Sequence, residues 1–244
     1  AGVSLGGTVL VAGTLTLQNG NLSLGDHDLV IEAGGSLVGA GATRRIVTNG
    51  SGMLRRLGLG SNGLSGPVLF PVSADGTSYT PVTITNAAAD NSYAVRVADG
   101  VRADGSAGAP VSAGVVDRTW FLAEGSGQSN VTLQFAWTAG EELTGFDRTL
   151  CFVSRNDLGS GWTGLQQPAS AQGSGLITRY VSGITGIGSL EVPFAIGSGG
   201  TLFPVEFLSF GATVEDGHAV LQWSTVNEVN NYGFRIEKSE AGTE

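Results

Sequence analysis

Few residues in this chain have the types and spacings that perform chemistry. Two strings fit the dinucleotide fingerprint GxGxxG, Gly58-Leu59-Gly60-Ser61-Asn62-Gly63 and Gly159-Ser160-Gly161-Trp162-Thr163-Gly164. That pattern holds a pyrophosphate only when a helix N-terminus follows it, and Pro67 and Pro168 stand where those helices would have to run. With 40 glycines, chance matches are expected. Gly2-Val3-Ser4-Leu5-Gly6 has the form of a hydrolase nucleophile elbow, but an elbow needs a strand before it and a helix after it, which does not fit the second residue of the chain. His27, between Asp26 and Asp28, and His218, after Asp216-Gly217, fit solvated turns and leave little material for a catalytic triad. Cys151 lies in the apolar run Leu150-Cys151-Phe152-Val153, where a thiol is a small hydrophobe. As the single cysteine it leaves no internal disulfide and no Cys/His set for zinc.

Three weaker candidates remain. Asp99 and Asp104, in Asp99-Gly100-Val101-Arg102-Ala103-Asp104-Gly105, offer two carboxylates to calcium without the alternating ligands of an EF-hand. Trp162, flanked by glycine, could stack on a sugar face from a loop, whereas Trp120, Trp137 and Trp223 sit in alternating strands and belong in a core. Glu141-Glu142 reads as a pair of loop charges, and nothing places two of the 21 carboxylates at a glycosidase separation. No active site assembles, and the expectation is a protein that is not an enzyme.

The elements that must carry these residues are strands. Leu15, Leu22 and Leu29 fall seven apart, followed in step by Leu17, Leu24 and Ile31, with Gly, Asn and Asp turns between. This spacing is too short for helices. It fits a β-meander or the edge of a β-solenoid, giving a first region over residues 1–66. A glycine-rich stretch, Leu57 to Pro67, suggests a boundary. Beyond it, alternation predicts strands at Val68–Val72, Thr80–Thr85, Tyr93–Asp99, Val115–Ala123, Asn130–Trp137, Thr149–Ser154, Leu176–Val181 and Ser189–Ile196. That density suits a β-sandwich over 67–199.

In the third region, 200–244, Leu208, Phe210, Ala212 and Val214 share one strand face, Asp216-Gly217 supplies a tight turn, and Leu221 and Trp223 alternate on the returning strand. Phe234 and Ile236 suggest a third strand. Three strands are half a sandwich. Burying so few apolar side chains cannot offset the entropy of ordering some forty residues, so the piece needs the preceding domain, a missing continuation or another chain.

The run Phe203-Pro204-Val205-Glu206-Phe207-Leu208-Ser209-Phe210, then Val220-Leu221-Gln222-Trp223-Ser224-Thr225 and Glu228-Val229-Asn230-Asn231-Tyr232-Gly233-Phe234-Arg235-Ile236-Glu237-Lys238-Ser239, resembles the fibronectin-III-like module near the C-terminus of large Bacteroidetes-type surface proteins. Phe70-Pro71-Val72, Tyr79-Thr80-Pro81-Val82-Thr83 and Asp117-Arg118-Thr119-Trp120 resemble the region that precedes it there. The resemblance implies type IX secretion, an extracellular or cell-surface location and an incomplete module. The family's completed sandwich and sorting domain are not in this sequence, so the expectation is a piece of a longer chain, a processed form, or a half-module that works as such.

Composition narrows the partners. The net charge of −9 and the single lysine, Lys238, argue against nucleic acid and anionic membranes as partners. No apolar run is long enough to span a bilayer, and the absence of a basic segment at Ala1-Gly2-Val3-Ser4-Leu5 suggests a mature or excised portion. The expected function is a structural protein, a fibre or adhesive-layer subunit that pairs with itself or other surface proteins through Leu208, Phe210, Leu221, Trp223, Phe234 and Ile236. The alternative is a carbohydrate-binding or adhesin module of a larger secreted protein, with glycans as partners. Calcium is the one cofactor the sequence suggests.

Overall fold

The computed structural model describes residues 2–125, 129–157, 161–199, 207–225 and 236. The side chains of Phe207, Leu208, Glu215 and Thr225 are outside that description.

The leucines spaced by seven lie on successive faces of a parallel coil. β1 (Val3–Ser4), β2 (Val9–Val11) and β3 (Thr14–Thr16) make its first turn, β4 (Leu22–Ser23), β5 (Leu29–Ile31) and β6 (Ser36–Val38) the second. β7 (Ile46–Val47) and β8 (Leu54–Leu59) continue it. Each strand pairs in parallel with its counterpart one turn away: Val3 with Leu22, Val9 with Leu29, Leu15 with Leu37, Leu22 with Ile46 and Leu29 with Leu54. The stacking repeat is therefore roughly 20 to 25 residues, within the range of repeat architectures. The spacing of seven is the step from one face to the next. Of the two N-terminal possibilities, meander and solenoid, the parallel pairing is that of a solenoid.

The sandwich grows from the coil. β9 (Pro67–Phe70) starts a second layer, β10 (Val72–Ser73) returns to pair in parallel with β7, and β11 (Val82–Asn86) and β12 (Asn91–Asp99) follow. β13 (Arg118–Glu124), β14 (Val131–Trp137), β15 (Cys151–Asn156), β16 (Trp162–Gly164), β17 (Ile177–Ile184) and β18 (Val192–Ser198) complete the body. One layer is a four-stranded antiparallel sheet in the order β17-β14-β11-β9. The other is an eight-stranded sheet, β16-β15-β18-β13-β12-β8-β5-β2. It is antiparallel from β16 to β8 and parallel from β8 to β2. β8, in and beside the glycine-rich stretch, thus belongs to both regions.

A single apolar cluster runs from Leu17, Leu24 and Ile31 through Phe70 and Val95 to Trp120, Phe135 and Ile196. Trp120 packs edge-on against Phe135 at 5.2 Å, and Phe135 lies 5.7 Å from Phe194, joining the two layers. The indole N–H of Trp120 donates to the Thr80 carbonyl at 2.9 Å, so its one polar atom is satisfied in the core. The all-β class is as expected.

β19 (Phe207–Glu215) and β20 (His218–Thr225) form an antiparallel hairpin, a two-stranded sheet of their own. Its loop is Asp216-Gly217, with φ of 48° and 79°. Two successive positive φ values define the hairpin turn that Asp-Gly favours. The third strand expected near Phe234 lies outside the described residues.

Candidate functional site

The solenoid interior is a ladder of apolar side chains, and one end of that ladder reaches solvent. Val3, Leu22, Ile46 and Val72 occupy equivalent positions on four successive coils. Their exposures are 66%, 9%, 0% and 0%. On the next face Val9 is exposed while its ladder neighbours Leu29 and Leu54 are fully buried. β1, β2 and β3 each end their sheet, so the first coil presents three strand edges together. Residues 2–25 contain no charged residue and no proline. Charges, especially Lys, and Pro are the usual guards on such edges.

The hairpin is a second surface of this kind. Phe210 is 64% and Val214 78% exposed, while Leu221 and Trp223 are half-buried. Phe210 and Trp223 are directly opposed across the two strands. From Phe207 to Thr225 there is no Lys, Arg or Pro, and Glu215, Asp216 and His218 cluster at the turn. Of the remaining residues expected to mediate assembly, Ile236 is exposed, and Phe234 and the Leu208 side chain are outside the described residues.

The sugar-stacking role for Trp162 is corrected by its burial. It is 1% exposed, sits in β16, and packs with Val101, Val115, Phe152 and Ala195 under partly buried Val111 and Leu143. Its indole N–H donates to the Arg102 carbonyl at 2.7 Å. Both ring faces are taken up by the protein. Asp99 directs its carboxylate to Arg118 at 3.2 Å, and the Asp104 N–H closes a tight turn onto the Ala107 carbonyl. Among the described residues no three His, Cys, Asp or Glu side chains gather as a metal would require.

The other sequence motifs have structural uses. At Gly58 to Gly63, the Ser61 N–H donates to the Ala88 carbonyl and the Asn62 N–H to the Asp90 carboxylate, so the amides a phosphate would need are already engaged. In the second string Trp162–Gly164 is a strand rather than a helix. Ser4, the elbow serine, lies in edge strand β1. Burial pushes the Cys151 thiol pKa up, which disfavours the thiolate a nucleophile needs.

Sequence reading missed a polar hub where the solenoid meets the sandwich. Arg118 on β13 reaches Asp99, Asp75 at 3.5 Å and the buried Glu141 at 3.8 Å. Burial acts to raise the Asp75 pKa, but hydrogen bonds from Ser78 and Thr77 outweigh it and hold the carboxyl at about 2. Glu141 is shifted up by burial, against the hydrogen bonds of Thr138 and the charge of Arg118. Glu142 accepts from the Trp137 indole at 2.8 Å and from Arg148 at 2.7 Å. The adjacent glutamates are therefore two anchors facing different partners. The only signal in the sequence was the scarcity of charge, which makes each of the 12 basic residues a candidate for a specific pairing.

Compared with known proteins, the chain matches no family model, no curated protein and no solved structure at a significant level. Among the described residues no helix is long and apolar enough to cross a membrane.

Proposed function

We propose that this is a non-enzymatic extracellular structural protein, a subunit of a surface fibre or adhesive layer in which strand edges of one copy pair with those of another. The observation that carries the reading is the first coil, whose apolar ladder goes from fully buried at Ile46 to 66% exposed at Val3. Terminal turns of solenoids ordinarily present a polar face, and the residues of this coil carry no charge. An edge of unpaired N–H and C=O groups flanked by apolar side chains gains both hydrogen bonds and burial when another strand is added.

The hairpin supplies a donor of the same character, with exposed Phe210 and Val214 and no basic or proline guard. A first-coil edge meeting a hairpin edge is a head-to-tail contact, which propagates into a filament unless the rotation closes a ring. The resemblance of the C-terminal region to type IX secreted surface proteins supports the placement outside the cell. Light scattering and electron microscopy across a concentration series test the proposal. Assemblies should grow with concentration, and Val3→Lys with Val9→Lys, which place charge on exposed positions, should abolish growth while leaving the fold intact. Particles that stay monomeric at every concentration would sink the proposal.

A further inference from the structure

A cleft of about 560 Å³ runs across the outer surface of the sheet β1-β4-β7-β10, perpendicular to the strands. Gly2 comes from the first coil, Asn21 and Ser23 from the second, Arg45, Val47 and Asn49 from the third, and Ala74 and Asp75 from the fourth. Four coils at the strand spacing extend about 14 Å, so the cleft has the form of a trough for an extended chain rather than a pocket for a compact one.

Its floor contains one cation that the protein leaves without a counter-ion. Arg45 is 7% exposed. Its Nη1 donates to the Thr77 carbonyl at 3.0 Å and to the Ser78 carbonyl, while Nε is buried with no hydrogen-bond partner. Nη2 makes no hydrogen bond and no carboxylate pairs with the group, among the described residues. The one acid in the lining, Asp75, accepts from the amides of Thr77 and Ser78 through one oxygen and pairs with Arg118 through the other, so it does not neutralise Arg45. The guanidinium carbon also lies 6.0 Å from the centroid of the Tyr79 ring, so the charge is met by two carbonyls and a ring face but by no anion, and a guanidinium is suited to a carboxylate or phosphate. The backbone around Arg45 is held in place from both sides. The Arg45 N–H donates to the Asn21 side-chain oxygen at 3.2 Å, and the Asn21 amide donates to the Gly76 carbonyl at 3.2 Å.

Beside Val47, Ala74 and glycines, the remaining polar lining is amide and hydroxyl, Asn21, Asn49, Ser23 and Thr43, with no aromatic ring. Such a surface recognises hydroxyl groups by hydrogen bonding rather than by stacking. We infer that this trough binds an extended glycan bearing a carboxylate, with the acid group of a uronic-acid unit seated on Arg45 and the sugar hydroxyls along the Asn and Ser/Thr rungs. The inference is independent of self-assembly, because the trough lies on the side of the coil and not on its open end.

Calorimetric titration of the full chain with oligogalacturonate tests it, alongside the same oligosaccharide methyl-esterified to remove its charge. Saturable binding of the acid form is expected, weakened at least tenfold by esterification and progressively by salt. Asn49→Asp is the informative variant. Asn49 is exposed and accepts from the Gly25 N–H at 3.1 Å, a bond the aspartate keeps while adding a negative charge to the trough. It should weaken the acid form at least tenfold with no change in thermal stability. Equal affinity for acid and ester, unchanged affinity in Asn49→Asp, no binding of the acid form, or equally tight binding of inorganic phosphate would each overturn the inference.

Discussion

If the solenoid and the sandwich share one sheet and one core, a cavity made in the coil must be felt by tryptophans in the sandwich. Leu29 is the site to perturb. It is fully buried in β5, between Val9 on the first coil and Leu54 on the third, and belongs to the common apolar cluster. Leu29→Ala removes its side chain from a stack that cannot close up without moving two backbones, and such changes cost about 2 to 5 kcal/mol. For a chain of this length each kcal/mol lowers Tm by roughly 2 to 4 °C, so a cost of about 3 predicts a fall of roughly 6 to 12 °C. Trp120, Trp137 and Trp162 are fully buried in the sandwich and no tryptophan precedes them, so intrinsic fluorescence reports that region alone once Trp223→Phe silences the hairpin. Tryptophan fluorescence and far-ultraviolet circular dichroism should therefore melt together, both at the lowered temperature. An unmoved tryptophan transition, with an earlier loss of ellipticity, would show that the coil frays by itself and that the shared sheet does not couple the regions.

Three further outcomes follow from particular contacts. Asp75, held at about 2 against an ordinary 3.8, contributes stability that is fully present above about pH 4 and is lost as the pH falls toward 2. The shift corresponds to about 2.4 kcal/mol, which partial exposure reduces to roughly 1, so urea midpoints of the parent and Asp75→Asn should differ at pH 7 and converge near pH 2; a constant difference would rule out the carboxylate as the cause. Glu141 works in the opposite sense, since its raised pKa means that folding disfavours its charged form and acid relieves that penalty. Trp162→Phe should cost about 1 to 3 kcal/mol, because the Arg102 carbonyl loses its donor in a buried setting, and a chemical melt reading less than 0.5 would show that water replaces the indole. Gly52→Ala would place a methyl 2.2 Å from the His27 carbonyl oxygen and 2.8 Å from that of Gly25, both backbone atoms, so a loss of about 1 to 3 kcal/mol is expected and a neutral result would mean that the coils separate readily.

How far the sequence could be read depended on whether the signal was local. Alternation located β12, β14 and β17 to within a few residues, since buried and more exposed positions alternate along part of each strand. It missed β16, whose three residues are too few to alternate. The coil was visible as a spacing of seven, but parallel stacking was not, because a meander and a solenoid place apolar residues identically along the chain. Trp162 misled because glycine neighbours imply a loop, whereas its cover comes from Val101 and Val115, some sixty and forty-seven positions away. Arg118 and Arg45 were invisible for the same reason. Their partners, Asp75 and Glu141 for one and Asn21, Thr77 and Ser78 for the other, lie on separate coils or strands. Asp216-Gly217 was readable in full, since a two-residue turn is specified by its own backbone preferences.

The asymmetry of the coil links these features to the proposed assembly. A stack of parallel strands has two ends, and each exposes the same unpaired groups unless something covers it. At the far end β8 passes into antiparallel β12, which turns the sheet's parallel edge into the interior of an eight-stranded layer and buries Leu54 and Leu59 completely. On the first coil Val3 and Leu10 are more than half exposed. In the proposed fibre the first coil and the hairpin are the two different surfaces that meet. The proposed contact is between unlike surfaces, and unlike surfaces are what distinguish a growing polymer from a closed symmetric dimer. The low charge of the first coil, which would be a liability in a free monomer, is what such a contact requires of the face it buries.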